Sequence, residues 1–173
     1  MSPPPEDDLL ALIHTWATHF GYYDGTIDLQ TGGDLSAFTT ADCTLTAHAP
    51  LWGTREGKEV ATPAAEVRKQ LARMLRWVRI ARHDMHLARH PQEDSICLFF
   101  TVKIRFFLLP ITLMTVPLAF VVTTSETDRG LRICDIHEWP AATPAEARRV
   151  LVETCGWPEE TTFTPHVAFG AVS

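Results

Sequence analysis

Cysteine is scarce in this chain: 4 in 173 residues, at positions 43, 97, 134 and 155, with no CxxC or zinc-ribbon spacing among them. A disulfide-stapled miniprotein and a zinc ribbon are therefore excluded. The cysteines read as reduced core residues of a cytoplasmic protein. Basic residues are also short, 15 Lys+Arg against 21 Asp+Glu, for a net charge of -6. Nucleic-acid binding would need a basic domain or face, so no nucleic-acid partner is expected. No Gly-rich phosphate loop, nucleophile elbow or dinucleotide fingerprint is present, and no cofactor is expected. The HDMH segment at 83–86 puts two histidines three apart, on opposite faces of a strand, so no metal site is expected either. The opening MSPPPEDDLL carries acid where a secretion signal carries base, and no such signal is read from it.

One absence is of a different kind. Residues 106–122, FFLLPITLMTVPLAFVV, contain no charge over 17 positions, close to the lower limit of roughly 17–25 for a membrane span. Pro110 and Pro117 would each break a helix there, and Lys103 and Arg105 alternate with apolar residues just upstream. The run reads as a strand end, a turn and a second strand, with no membrane span.

At 46% hydrophobic and 21% charged, the chain is composed like a single soluble domain, 1–173, with a core at about 7–140 and a C-terminal helix and tail at 143–173. Leu9, Leu10, Ile13, Trp16, Ala17 and Phe20 fall at helical spacing and predict an amphipathic helix ending near Gly21. CTLTAHA at 43–49 is a short strand candidate closed by Pro50 and Gly53. Thr62 and Pro63 read as the cap and first residue of a second helix, with Val67, Leu71, Met74, Leu75 and Val78 as its buried stripe. Strands are predicted at 80–89, 96–107, 113–124 and 131–139, joined by turns at PQED, Pro110 and SETDRG. Thr143-Pro-Ala-Glu146 is a capping box that announces the last helix. The tail at 157–173 has no usable periodicity. The predicted fold is α+β: a cone-shaped α+β barrel, a strongly curved antiparallel sheet wrapped around N-terminal helices. Such a cone, apolar inside with a few polar groups, is a common form of small-molecule pocket.

This order of elements, with GDLSAF at 33–38, ADCTLTAHAP at 41–50, GTREGKE at 53–59 and RGLRICDIHEW at 129–139, resembles the nuclear-transport-factor-2-like superfamily and within it the SnoaL-like polyketide cyclases. The resemblance spans about 7–140. It implies the cone fold, but the superfamily hosts isomerases, dehydratases, epoxide hydrolases, cyclases and non-catalytic binding modules. It also implies homodimers, which could form through an exposed sheet face. Where ketosteroid isomerase in this superfamily has its general base, this chain has Ala49 before Pro50, and where that enzyme has its protonated Asp it has Leu118 and Ala119. Enolisation by that acid pair is therefore not expected.

The resemblance points to polar groups from three places. Tyr22, Tyr23 and Asp24, with Asp28 nearby, follow the first helix; Arg82-His83 opens the third strand; Asp135 and His137 stand where SnoaL-like cyclases place their acid/base residue. Period-two alternation puts His83 on a face with Met85 and Leu87, and Asp135, His137 and Trp139 on a face with Leu131 and Ile133. A bulge in the last strand would reverse the second assignment and turn Glu138 inward instead. The candidate catalytic residues are Asp24, orienting His83, and the pair Asp135 and His137; Tyr23, Trp52, Met85, Phe100, Phe106 and Trp139 are candidate substrate contacts. His48 and His86 read as surface or interface residues. A carboxylate and an imidazole in an apolar pocket suit proton transfer. The expected function is a cofactor-independent cyclase or isomerase of a hydrophobic polyketide or terpenoid intermediate. A dehydratase, an epoxide hydrolase, a pericyclase, or a non-catalytic ligand-binding or dimerisation module are the alternatives.

Overall fold

The computed structural model describes residues 12, 38–48, 60–63, 66, 78–106, 108 and 111–165. In chain order the elements are β1 (Thr39–Ala47), β2 (Val60–Pro63), β3 (Val78–Arg89), β4 (Ser95–Phe106), β5 (Thr112–Thr127), β6 (Gly130–Pro140), α1 (Pro144–Glu153) and β7 (Thr164–Pro165). They form one seven-stranded sheet in the order β2-β1-β6-β5-β4-β3-β7. The stretch from β3 to β6 is the predicted meander. Its hairpins close where the turn chemistry demands: Gly130 takes φ +87 at the SETDRG turn, and Thr127 Oγ1 donates to the Gly130 carbonyl at 2.7 Å. At the β3–β4 turn the buried His90 accepts from the Glu93 N–H at 2.9 Å through Nδ1.

The sheet has two covered faces. On the front, Ile96, Leu98, Phe100 and Val102 of β4 alternate with the back-face residues and pack with Leu118, Phe120 and Val122 of β5. Cys43, Leu45, Ala47, Met85, Ile133 and Ile136 complete this cluster, against which Leu12 packs. Phe100 and Phe120 stack with centroids 5.3 Å apart. Each such side chain contributes about 1.5–3 kcal/mol on burial. On the back, Cys97, Phe99, Ala119 and Val121 pack under Ala147 and Leu151 of α1, with Trp157 and Ala141. The expected cap forms with one difference: the Glu146 N–H donates to Thr143 Oγ1 at 3.2 Å, while Glu146 Oε2 accepts at 2.7 Å from the N–H of Ala142, one residue before the N-cap.

Four expectations change. The sheet is mixed, since β1 pairs with β6 in parallel; the meander's alternation fixes the direction of β6, and β1 runs alongside it in that same direction. Thr62 and Pro63 do not start a helix but end β2, opposite Leu45 and Thr44 of β1; at the last position of an edge strand a proline deprives no ladder of a needed donor. Val78 belongs to β3, opposite Phe106, because the twelve-residue β4 is paired along its length. The tail supplies β7, which adds to the edge of β3 at His86 and Leu87. Of the uncharged 106–122 run, Phe106 ends β4 and residues 112–122 make up most of β5, and among the described residues no helix is long and apolar enough to cross a membrane. The helix expected at the N-terminus and most of the one expected after Pro63 lie outside the described residues.

Candidate functional site

The chemistry of β6 is decided by one residue. Its ladder with β5 runs in step from Leu118↔Pro140 to Thr123↔Asp135, then resumes at Thr124↔Ile133, leaving Cys134 as a bulge. An inserted residue reverses the alternation on either side of it. Ile133 and Ile136, an odd and an even position, consequently share the front face. Asp135, His137 and Trp139 oppose Thr123, Val121 and Ala119, which belong to the back. The expectation that these three share a face with Leu131 and Ile133 is thus corrected, and the bulge is the reason.

With the same reversal Glu138 comes to the front. It stands between Ala47 of β1 and Phe120 of β5 in the ladder and is 1% exposed. Charged side chains are rarely buried to this degree in an apolar cluster, because leaving water costs them several kcal/mol unless a partner or a function compensates.

On the back face, Asp135 and His137 join a chain of hydrogen bonds that crosses to β1. Thr44 Oγ1 donates to Asp135 Oδ1 at 3.0 Å. His137 Nε2 lies 2.8 Å from Asp135 Oδ2, and His137 Nδ1 lies 2.9 Å from His48 Nε2. An ionised carboxylate only accepts, so His137 Nε2 carries a proton toward it; neutral His137 then accepts at Nδ1, and His48 Nε2 donates. The bonds therefore all point toward Asp135, and each fixes the next tautomer. His48 also stacks on Trp139 with centroids 3.5 Å apart and planes 2° off parallel. His137 and Asp135 keep 33% and 38% of their side-chain surface exposed, so the chain is reached by solvent. Its Coulombic contribution to stability is correspondingly modest.

The other candidates divide as follows. Met85 and Phe100 are buried on the front, with Leu87 beside them. Phe106 is half-buried at the end of β4, opposite Val78. Trp139 is on the back, packed against the α1 cluster. His83 occupies a backbone position opposite Thr101, and the ladder is irregular between His83 and His86, so alternation from Met85 does not carry across to it. Tyr23, Asp24 and Trp52 lie outside the described residues, as does the side chain of His83. Sequence reasoning missed Thr44 and His48 as partners of Asp135 and His137. Their shared parity on β1 was visible; the parallel pairing that brings β1 to β6 was not. Among the described residues no cluster of three or more His, Cys, Asp or Glu could hold a metal ion.

Comparison with known proteins sets this geometry in a fold. No protein-family model matches the chain, and no curated protein does. Among solved structures, AusH from Aspergillus nidulans superposes with a TM-score of 0.56 at 13% identity, covering 82% of this chain and 88% of its own. The BvnE pinacolase of Penicillium brevicompactum superposes at 0.56 with 12% identity, over 90% of this chain and 97% of its own. A protein of unknown function with a cystatin-like fold from Methylobium petroleophilum PM1 reaches 0.57 at 13% identity, over 84% and 83%. Identities this low speak to fold alone. The chain shares the fold of these structures, described for the Methylobium petroleophilum protein as cystatin-like.

Proposed function

We propose that this protein is a cofactor-independent isomerase or cyclase of a hydrophobic natural-product intermediate, with Glu138 as its proton-transfer group. One observation carries the reading: a carboxyl group 1% exposed on the apolar front face, beside Phe120 and Ala47. The likeness to a pinacolase, an enzyme by its name, supports the reading at the level of fold. In this reading the sheet closes around N-terminal helices into a cone whose wall is the front face, and Met85, Phe100 and Phe106 contact the substrate. A carboxyl group there gives a proton to one end of the substrate and takes one back from the other. The product is an isomer, and no oxidant or co-reactant is consumed. Such general acid–base assistance is worth about 10²–10⁴-fold in rate.

A second reading puts the chemistry on the back face, and the aligned Asp135–His137–His48 bonds favour it, since an imidazole oriented by a carboxylate is a common acid–base device. One experiment separates the two. Purified protein is incubated with a panel of apolar polyketide and terpenoid intermediates, and isomeric products of unchanged mass are followed by chromatography and mass spectrometry. Glu138→Gln should lower turnover by about 10²-fold or more while His137→Ala stays within about tenfold of the parent. The reverse ranking supports the second reading. Equal product profiles from the parent and Glu138→Gln would overturn the first.

A further inference from the structure

Exposed hydrophobic side chains and positive charge gather at the same end of the sheet. Leu108, Ile111, Leu113 and Met114 are 50–66% exposed, and among the described residues no other large hydrophobic side chain is exposed. All four belong to the tip of the β4–β5 hairpin, whose base is closed by the Phe106 N–H donating to the Ile111 carbonyl at 3.2 Å. Residues 107–110 read Phe-Leu-Leu-Pro.

The charge at this end is of one sign. Residues 78–83 and 95–125 contain no Asp or Glu, in a chain of net charge -6. Lys103 and Arg105 of β4 stand opposite Ala81 and Arg79 of β3 in the ladder. Arg105 is exposed and Lys103 half-buried, and among the described residues neither is in an ion pair. Like charges directly opposite one another, as at Arg79 and Arg105, destabilise a ladder; an anion facing the pair would relieve that cost. At the other end of these strands Glu93, Asp94, Glu126 and Asp128 stand among Arg89, Arg129 and Arg132, so the signs are mixed there and single at the tip.

We propose that the tip of the β4–β5 hairpin is a docking surface for an anionic lipid bilayer, with Leu108, Ile111, Leu113 and Met114 entering the headgroup boundary and Lys103 and Arg105 held against lipid phosphates. Interfacial binding grows with buried apolar area and with attraction of cations to anionic headgroups, and the tip offers both. Lys and Arg suit this position, because their apolar stems lie along hydrocarbon while their charged ends reach phosphate. A protein partner is engaged through aromatic anchors fitted to pockets, and none of the four exposed side chains is aromatic. Leu113 is an extra residue in the ladder, between Met114 opposite Ile104 and Thr112 opposite Arg105. A bulge bends its strand and discourages a further strand from pairing there, so the contact is made by side chains. Insertion by about 5–10 Å, usual for interfacial segments, takes in the tip and leaves the paired ladder outside the hydrocarbon. A hydrophobic substrate concentrates in bilayers, so docking would bring the enzyme to its supply, but the docking does not rest on the proposed reaction.

The test is co-sedimentation of the full chain with sucrose-loaded vesicles of phosphatidylcholine, alone or with phosphatidylserine as about a third of the lipid. Binding is expected to the phosphatidylserine vesicles at low salt, and should weaken by about tenfold or more near 0.5 M NaCl. Lys103→Gln and Arg105→Gln should each weaken it by about fivefold, and Leu108→Ser combined with Met114→Ser by about tenfold. Circular dichroism of these variants should match the parent, since the substitutions fall at accessible positions. Asp128→Asn, at the opposite end, should change binding by less than about twofold. No binding at about 1 mM lipid, equal binding to both vesicle types, or binding indifferent to the tip variants overturns the proposal. So does a protein that ignores vesicles and forms a dimer that Leu108→Ser with Met114→Ser dissociates.

Discussion

Cys43 illustrates how a single buried side chain records its surroundings. Burial on the front face pushes its thiol up from 9.0 to about 12, with smaller contributions from the negative charge of Asp135 and from Cys134. In the unfolded chain the thiol ionises first, so above pH 9 the unfolded state binds fewer protons than the folded one. Stability is therefore fully present below pH 9 and falls as pH rises toward 12. Urea unfolding at pH 8, 9 and 10 should show a midpoint that declines above pH 9. Cys43→Ala should decline less steeply, starting from a lower midpoint. The sequence reading of the cysteines as core residues agrees with the burial of Cys43 and Cys97, while Cys134 and Cys155 are half-buried. At the candidate site, the residue types were legible and their orientation was not. Asp135 and Glu138 face opposite ways in any strand, but which of them faces front depends on Cys134, and nothing in the residues 131–139 themselves marks a bulge there.

At the scale of elements, local signals were reliable. Alternation in 96–107 and the SETDRG turn gave β4, β5 and β6 to within a few residues, and the capping box gave α1. Thr143→Ala should destabilise the protein by about 1 kcal/mol and lower Tm by about 2–4 °C, with Thr143→Ser close to the parent by thermal circular dichroism. What failed was pairing across long sequence separations. Thr62-Pro63 has the chemistry of a helix start, and tertiary pairing with Leu45 and Thr44 overrides it. The parallel β1–β6 contact joins segments about ninety positions apart, and no local pattern encodes it. The Thr44–Asp135–His137–His48 chain depends on that contact, so only its β6 pair, Asp135 and His137, could be named together.

For the whole molecule, the segment after β6 is a structural layer of its own. α1 and Trp157 cover the back of the sheet, and Arg148 of α1 donates to the carbonyls of Thr161 and Glu159 and so fastens the segment that leads to β7. Ending the chain at Pro140 would uncover Cys97, Phe99, Ala119 and Val121 together. A patch of that kind is an aggregation surface, so the truncated protein should bind a hydrophobic dye strongly and pellet at concentrations where the full chain stays in solution. If it remains soluble and dye-negative, the layer contributes little.

The bulge at Cys134 has a meaning for descent as well as for geometry. A strand holding one residue more than its partners can lose that residue and keep both faces as they are. Loss of a residue between Asp135 and Glu138 instead turns Glu138 to the back. Two deletions of equal size, a few codons apart, would thus differ completely in what natural selection could see.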